Sequence, residues 1–327
     1  MSQEYPAPVE GAKSQDKVRA PVLTRVMLDF RVLRDLLARH GSALDHPVKS
    51  FEIGDVSFDF RRGRYLTGVI NLSPDSWYTE SVCTTAEAAV ERGRQLVRDG
   101  AHLVDIGAES SLPDAERVDV LGQLDRLLPV VKPLVADGIL VSVESYHPEV
   151  LEACGAAGAQ VFNVTGMREA DAIFDVAARH DAALVLCHVQ GDNVREVTEL
   201  EDLGDIIPRL EGYFADLIQR MEARGVHRAF VDPGLGFYYK NLVDGVDRVR
   251  FQLDTFLQTF RLQSLGYPSF NIVPHAPDVF LDDERRQAEP FFSVLAFLGG
   301  THMVRTHEVR RLARVLRALQ LYPDGEG

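Results

Sequence analysis

Carboxylates, amides and histidines recur in this chain at the ends of short apolar runs. Asn71 closes the first run, Asp105 lies in the second with Ser111 just beyond it, Glu144 ends the third and Asn163 lies near the end of the fourth. His188 follows the fifth, Asp232 ends the sixth with Lys240 further along its loop, His275 and Asp278 follow the seventh, and Arg305 and His307 end the eighth. Asp, Glu and Asn accept hydrogen bonds from ring N–H and amino groups, so the set suits a ligand rich in nitrogen donors. Arg305 and His307 suit a phosphate or diphosphate. Plainer roles stand beside these. Asn71, Asp105 and Asp232 have the side chains that cap loops and helix starts, and His188 also reads as a core histidine beneath a pocket. Glu144, His188, His275 and His307 are metal-ligand types, but no diagnostic spacing links them.

The runs themselves are short and rich in β-branched residues, and longer stretches of helical periodicity separate them, which is the pattern of βα units on a parallel sheet. They span Leu66–Ile70, His102–Ile106, Ile139–Val143, Gln160–Val164, Ala183–Cys187, Ala229–Asp232, Ser269–Val273 and His302–Arg305. The predicted fold is α/β, a single (β/α)8 TIM barrel over 63–322 with an N-terminal extension over 1–62 and a tail at 323–327. Barrels of this kind carry their chemistry just after the strands, where the polar residues above lie. Ala86, Ala89, Val90, Gly93, Leu96 and Val97 predict one helix face against the barrel wall, with Glu87, Arg92 and Arg98 facing water. In the extension, residues 1–20 have a flexible composition. Leu28, Phe30, Val32, Leu33, Leu36 and Leu37 then predict an amphipathic helix. The alternation around Gly54-Asp55 predicts a hairpin placed to close the amino-terminal end of the barrel.

The chain has 327 residues, 46% of them hydrophobic, with 49 acidic against 35 basic side chains and a formal net charge of −14. That charge argues against nucleic acid and anionic membranes as partners. The polar opening MSQEYPAPVEGAKSQDK has no secretion-signal core, so a cytoplasmic protein is expected. Cys83, Cys154 and Cys187 are widely spaced and read as reduced thiols rather than a disulfide or zinc framework. Arg310, Arg311, Arg314 and Arg317 read as the solvated face of the last helix.

Motifs sharpen this picture. GVINLSPDSW resembles the first signature of dihydropteroate synthases, and LVDIGAESSLPDAE resembles the second. VSVESYHPEVLEACGAAGAQVFNVTG, LVLCHVQG, FVDPGLGF and HMVRTHEV resemble later motifs of that family, in order and on strand ends. The resemblance covers about residues 51–320. It implies a pterin or folate as ligand and Mg2+ as cofactor, with Asn71 helping to hold the metal and diphosphate and Arg305 and His307 on the other side of the anion. By the same resemblance Asp105, Asn163 and Asp232 line the pterin pocket, and the protein is a homodimer. The implied reaction joins a pterin methyl diphosphate to an aryl amine with release of diphosphate, and the protein's part in it is electrostatic.

Departures accompany the resemblance. Glu144 stands where the family has Asp, placing a carboxylate about 1.5 Å further into the pocket. Leu112 replaces an Arg on a loop that in the family closes over the diphosphate and second substrate. Asp278 falls in place of the Lys of a Ser-Arg-Lys motif, leaving Lys240 as a possible substitute. Two further readings follow from these changes: a diverged enzyme on the same scaffold that uses a reduced folate or pterin for one-carbon transfer or specialised biosynthesis, and a non-catalytic ligand-binding paralogue.

Overall fold

The structure is a computed structural model that describes residues 28–73, 82–112, 115–201, 204–237, 239–273, 279–280 and 284–322. The expected positions of His275 and Asp278, residues 1–20 and the tail at 323–327 lie outside the described residues. The chain divides into two compact units, Met1–Gly41 and Ser42–Gly327. In the first, α1 (Phe30–His40) starts where Asp29 accepts the backbone N–H groups of Arg31 and Val32, an N-cap that satisfies two otherwise unpaired donors.

The second unit opens with a hairpin, β1 (Phe51–Ile53) and β2 (Val56–Phe58), whose two-residue turn has Gly54 at φ +54°. A positive φ there is one that glycine adopts without penalty. The barrel strands follow: β3 (Tyr65–Asn71), β4 (Leu103–Gly107), β5 (Val141–Glu144), β6 (Val161–Val164), β7 (Ala183–Cys187), β8 (Ala229–Asp232), β9 (Phe270–Ile272) and β10 (Met303–Thr306). They form an 8-stranded parallel sheet in the order β8-β7-β6-β5-β4-β3-β10-β9. A parallel bridge between Val231 and Ser269 brings β8 to β9 and nearly closes the barrel. The helices α2 (Ala86–Asp99), α3 (Val120–Ala136), α4 (Pro148–Ala156), α5 (Ala170–Arg179), α6 (Ile207–Glu222), α7 (Gly245–Gln258), α8 (Arg285–Leu298) and α9 (Val309–Gln320) follow β3 to β10 in turn. This is the predicted TIM-like barrel, with strand ends shifted by a residue or two.

Alternation along each strand separates two cores. Outward residues such as Leu66, Ile70, Val104 and Ile106 pack with the helices. Inward residues of the lower barrel, including Leu103, Val161, Val185, Phe230, Phe270 and Met303, form one cluster with Ile53, Phe58 and Phe60. The hairpin thereby fills the lower barrel, with the Phe60 ring edge-on to Phe230 at 5.4 Å. Above this apolar floor the inward positions turn polar.

Two details of α2 differ from expectation. Val97 is 39% exposed, because it lies about 100° round the helix from the buried Leu96. Arg92 does not simply face water: its Nη2 donates to the His307 carbonyl at 3.2 Å. Among the described residues no helix is long and apolar enough to cross a membrane.

Candidate active site

Parallel pairing fixes which side chains meet at the barrel mouth. The register sets Asp105 beside Ser142 and Glu144 beside Asn163, and Arg305 enters from β10. Its guanidinium is shared between two carboxylates: Nε donates to Asp105 Oδ2 at 2.7 Å and Nη2 to Glu144 Oε2 at 2.6 Å. Asp105 also accepts from Ser142 Oγ at 2.6 Å and Asn163 Nδ2 at 3.0 Å. A fully buried carboxylate needs such complete pairing, since an unpaired charge away from water costs several kcal/mol.

A cavity of about 390 Å3, counted with its open mouth, lies over this network and is lined by Glu144, Asn163, Asp232, Arg305, Ser111, Thr165, Cys187, Gly234, Gly236, Phe237 and Ile272. Burial, only partly offset by Arg305, pushes the Glu144 carboxyl up to about 7. Burial likewise pushes Asp232 up to about 7, against the Gly234 N–H that donates to its Oδ1 at 2.8 Å. Gly234 has φ +73°, and a Cβ there would lie 2.0 Å from the His188 carbonyl oxygen, so this turn requires glycine. The Cys187 thiol is driven well above its usual range by burial, which leaves it a neutral wall.

The structure gathers Ser111, Glu144, Asn163, Asp232 and Arg305 at one cavity and, among the described residues, places the other expected ones elsewhere. Asp105 is wholly buried behind the cavity, where it holds Arg305 and Asn163 rather than lining the pocket. His188 packs edge-on against Tyr213 with ring centroids 4.8 Å apart. Burial lowers its pKa to about 4, so it is a neutral core histidine and does not line the cavity. Asn71 ends β3 half-buried and lies outside the lining. Lys240 is exposed and also outside it. His307 sets Nδ1 3.4 Å from Glu289 Oε1. Burial first, then Arg305 and Arg92, lower its pKa to about 3, so this contact joins a neutral ring to the carboxyl rather than two charges. His307 lines a separate outer groove with Arg92, Arg286 and Arg310. The expected anion trio of Asn71, Arg305 and His307 therefore does not share one cavity here.

The sequence reading missed Thr165, Cys187, Phe237 and Ile272. Cys187 and Ile272 sit at strand ends with inward register, and Thr165 lies two residues past Asn163, so the period-two rule carried a usable signal for all three. Phe237 lies on a loop, where no such period applies. Among the described residues no group of three or more His, Cys, Asp or Glu could hold a metal ion. Glu144, His188 and His307, which share metal-ligand chemistry, are not gathered into such a group; His275 lies outside the described residues. For Mg2+, Asn71 would supply a single oxygen, which fits an ion that arrives already bound to a diphosphate and keeps several waters.

The profile of the family described as "Pterin binding enzyme" matches residues 67–307. The dihydropteroate synthase of Synechocystis sp. is 28% identical over 277 residues, covering 81% of this chain and 92% of that protein. The dihydropteroate synthase of Streptococcus pyogenes serotype M1 is 30% identical over 263 residues, covering 75% and 90%. Among solved structures, the dihydropteroate synthase of Xanthomonas albilineans with 4-aminobenzoic acid superposes with a TM-score of 0.70 at 28% identity, covering 84% of this chain and 99% of that one. The same enzyme in complex with 7,8-dihydropteroate gives 0.66 at 26%, covering 84% and 100%.

Proposed function

The chain belongs to the pterin binding enzyme family, and on that premise we propose that it is a dihydropteroate synthase-like transferase whose cavity of Asn163, Asp232, Glu144 and Arg305 holds the pterin. The observation that carries the reading is that cavity: acceptors and one fixed cation converge on a site walled by Phe237 and Ile272. Oxygens of Asp232, Glu144 and Asn163 accept N–H groups from a pyrimidine edge, and the Arg305 guanidinium presents N–H donors and a flat face. Asp105 acts one step back, fixing Arg305 and Asn163 so that little reorganisation accompanies binding. The reaction breaks the bond between the pterin methylene and the diphosphate oxygen, which leaves with the bonding pair, and the nitrogen of an aryl amine such as p-aminobenzoate captures the carbon and releases one proton to solvent. Mg2+, when bound with the diphosphate, supplies charge neutralisation of the leaving group; Asn71 is the protein oxygen that would meet it.

Glu144 favours a second reading, in which the scaffold serves a reduced folate or another pterin without diphosphate loss. Its carboxylate holds Arg305 inside the cavity at 2.6 Å, which withdraws a cation from the leaving-group side. A coupled assay with the dihydropterin methyl diphosphate, p-aminobenzoate and Mg2+ separates the two. The first reading expects diphosphate released in step with a pteroate product. Pterin binding without release would move the assignment to the second, and no pterin binding at millimolar ligand would remove both.

A further inference from the structure

The loop that follows β4 carries Ser111 to the cavity, and one side chain from a distant part of the chain holds it there. Arg195, on the loop after β7, donates through Nη1 to the carbonyls of Ser110, at 2.6 Å, and Leu112, and through Nη2 to the carbonyl of Ala115. Three main-chain acceptors on one guanidinium bracket Ser111 on both sides. A planar fork with five N–H groups spreads such a set over two nitrogens in fixed directions, whereas an ammonium offers three donors from a single point.

Arg195 is itself held in place. The Asn193 side chain accepts its backbone N–H at 2.9 Å, and Val194 N–H donates at 2.8 Å to the carbonyl of Thr165, another cavity residue. Gly191 (φ +141°) allows the close return of the loop: a Cβ there would lie 2.3 Å from the Glu196 carbonyl oxygen. A second tie runs parallel, with Arg117 donating to Tyr146 Oη at 3.0 Å and to Glu196 at 3.2 Å, and Tyr146 donating to Glu109 at 2.6 Å. The loops after β4, β5 and β7 are thus cross-linked on one side of the mouth.

We propose that Arg195 is a positioning residue for the cavity: it supplies, from the loop after β7, the cation that orders the loop after β4 and sets Ser111 against the ligand. The proposal rests on the reading of the cavity as the pterin site only for the identity of the ligand. The bracket around Ser111 stands apart from it.

The experiment uses the full chain and two readouts. Hydrogen exchange of residues 109–118 is compared in wild type, Arg195→Lys and Arg195→Ala, without ligand. Both variants are expected to speed exchange in that loop while the β4 and β7 amides remain protected. Unchanged loop exchange would overturn the proposal whatever the ligand is, and loss of strand protection would show Arg195 to be a general fold contact, which overturns it too. Calorimetry with 7,8-dihydropteroate then compares Arg195→Ala, Ser111→Ala and the double variant. Arg195→Ala alone is expected to weaken binding about tenfold, and less than twofold when Ser111 is already alanine, because coupled residues are not additive. Independent, multiplying losses would contradict positioning through Ser111. Faster loop exchange with no dihydropteroate binding by wild type would count against the pterin reading and leave the bracket standing.

Discussion

Asp232 sets folding against binding. The residue has 5% of its surface exposed, and its carboxyl is pushed up to about 7, above the model-peptide value of 3.8. With a folded-state pKa above the unfolded one, the stability of the buried neutral acid is present below about pH 4 and is lost as pH rises to about 7. Above that, the fold carries a buried carboxylate. Asp232→Asn should therefore raise stability at pH 8, on the order of 1–3 kcal/mol, and raise it by clearly less at pH 5, as read by urea unfolding at the two pH values. An equal effect at both would contradict the burial account. The same variant should bind pterin more weakly at pH 8, since an amide exchanges an acceptor for a donor. At Glu144 the length of the side chain is what counts. Glu144→Asp withdraws the carboxylate by about 1.5 Å, beyond hydrogen-bond reach of Arg305, and leaves the guanidinium tied to Asp105 alone. Freed in this way, Arg305 can meet the leaving group, and the rate of diphosphate release should rise about fivefold, from roughly 1 kcal/mol of interaction. An unchanged or lower rate would show that the tether to Glu144 does not limit the reaction.

At the scale of elements, strands and loops differ in how much of them the sequence disclosed. Candidate strands such as Ala183–Cys187 and Ala229–Asp232 coincide with β7 and β8, because a buried parallel strand is a continuous apolar run between helical periods. The strand ends in turn placed Asn163, Glu144, Asp232 and Arg305 near one another. What lay beyond reach was which of these side chains faces the ligand. Asp105 and Arg305 meet across 200 residues of separation, and their rotamers answer to the whole mouth rather than to local pattern. Arg195 gave no signal because its partners are main-chain carbonyls. The hairpin was legible through its alternation and turn, and its packing makes a prediction. The Phe60 ring lies 5.0 Å from Phe51 and 5.4 Å from Phe230. Phe60→Ala should cost roughly 3–5 kcal/mol in urea unfolding and Phe60→Leu far less. A loss below 1 kcal/mol for the alanine variant would mean that the hairpin is dispensable to the lower core.

For the whole molecule, the barrel joins two chemically different interiors, an apolar lower core and a polar cavity above it. The lower core keeps the strands in a register that brings carboxylates from β4 and β5 onto one arginine of β10, with a third carboxyl, from β8, lining the same cavity. That convergence, on a scaffold shared with dihydropteroate synthases at TM-scores of 0.66 and 0.70, is the ground for assigning a pterin to the cavity. The most direct test is calorimetric titration of the full chain with 7,8-dihydropteroate, repeated for Asn163→Ala and Asp232→Ala. The account predicts saturable binding at one site per chain, weakened tenfold or more in each variant, since each loses hydrogen bonds to a buried ligand. No binding at millimolar ligand, or equal affinity in all three proteins, would contradict it.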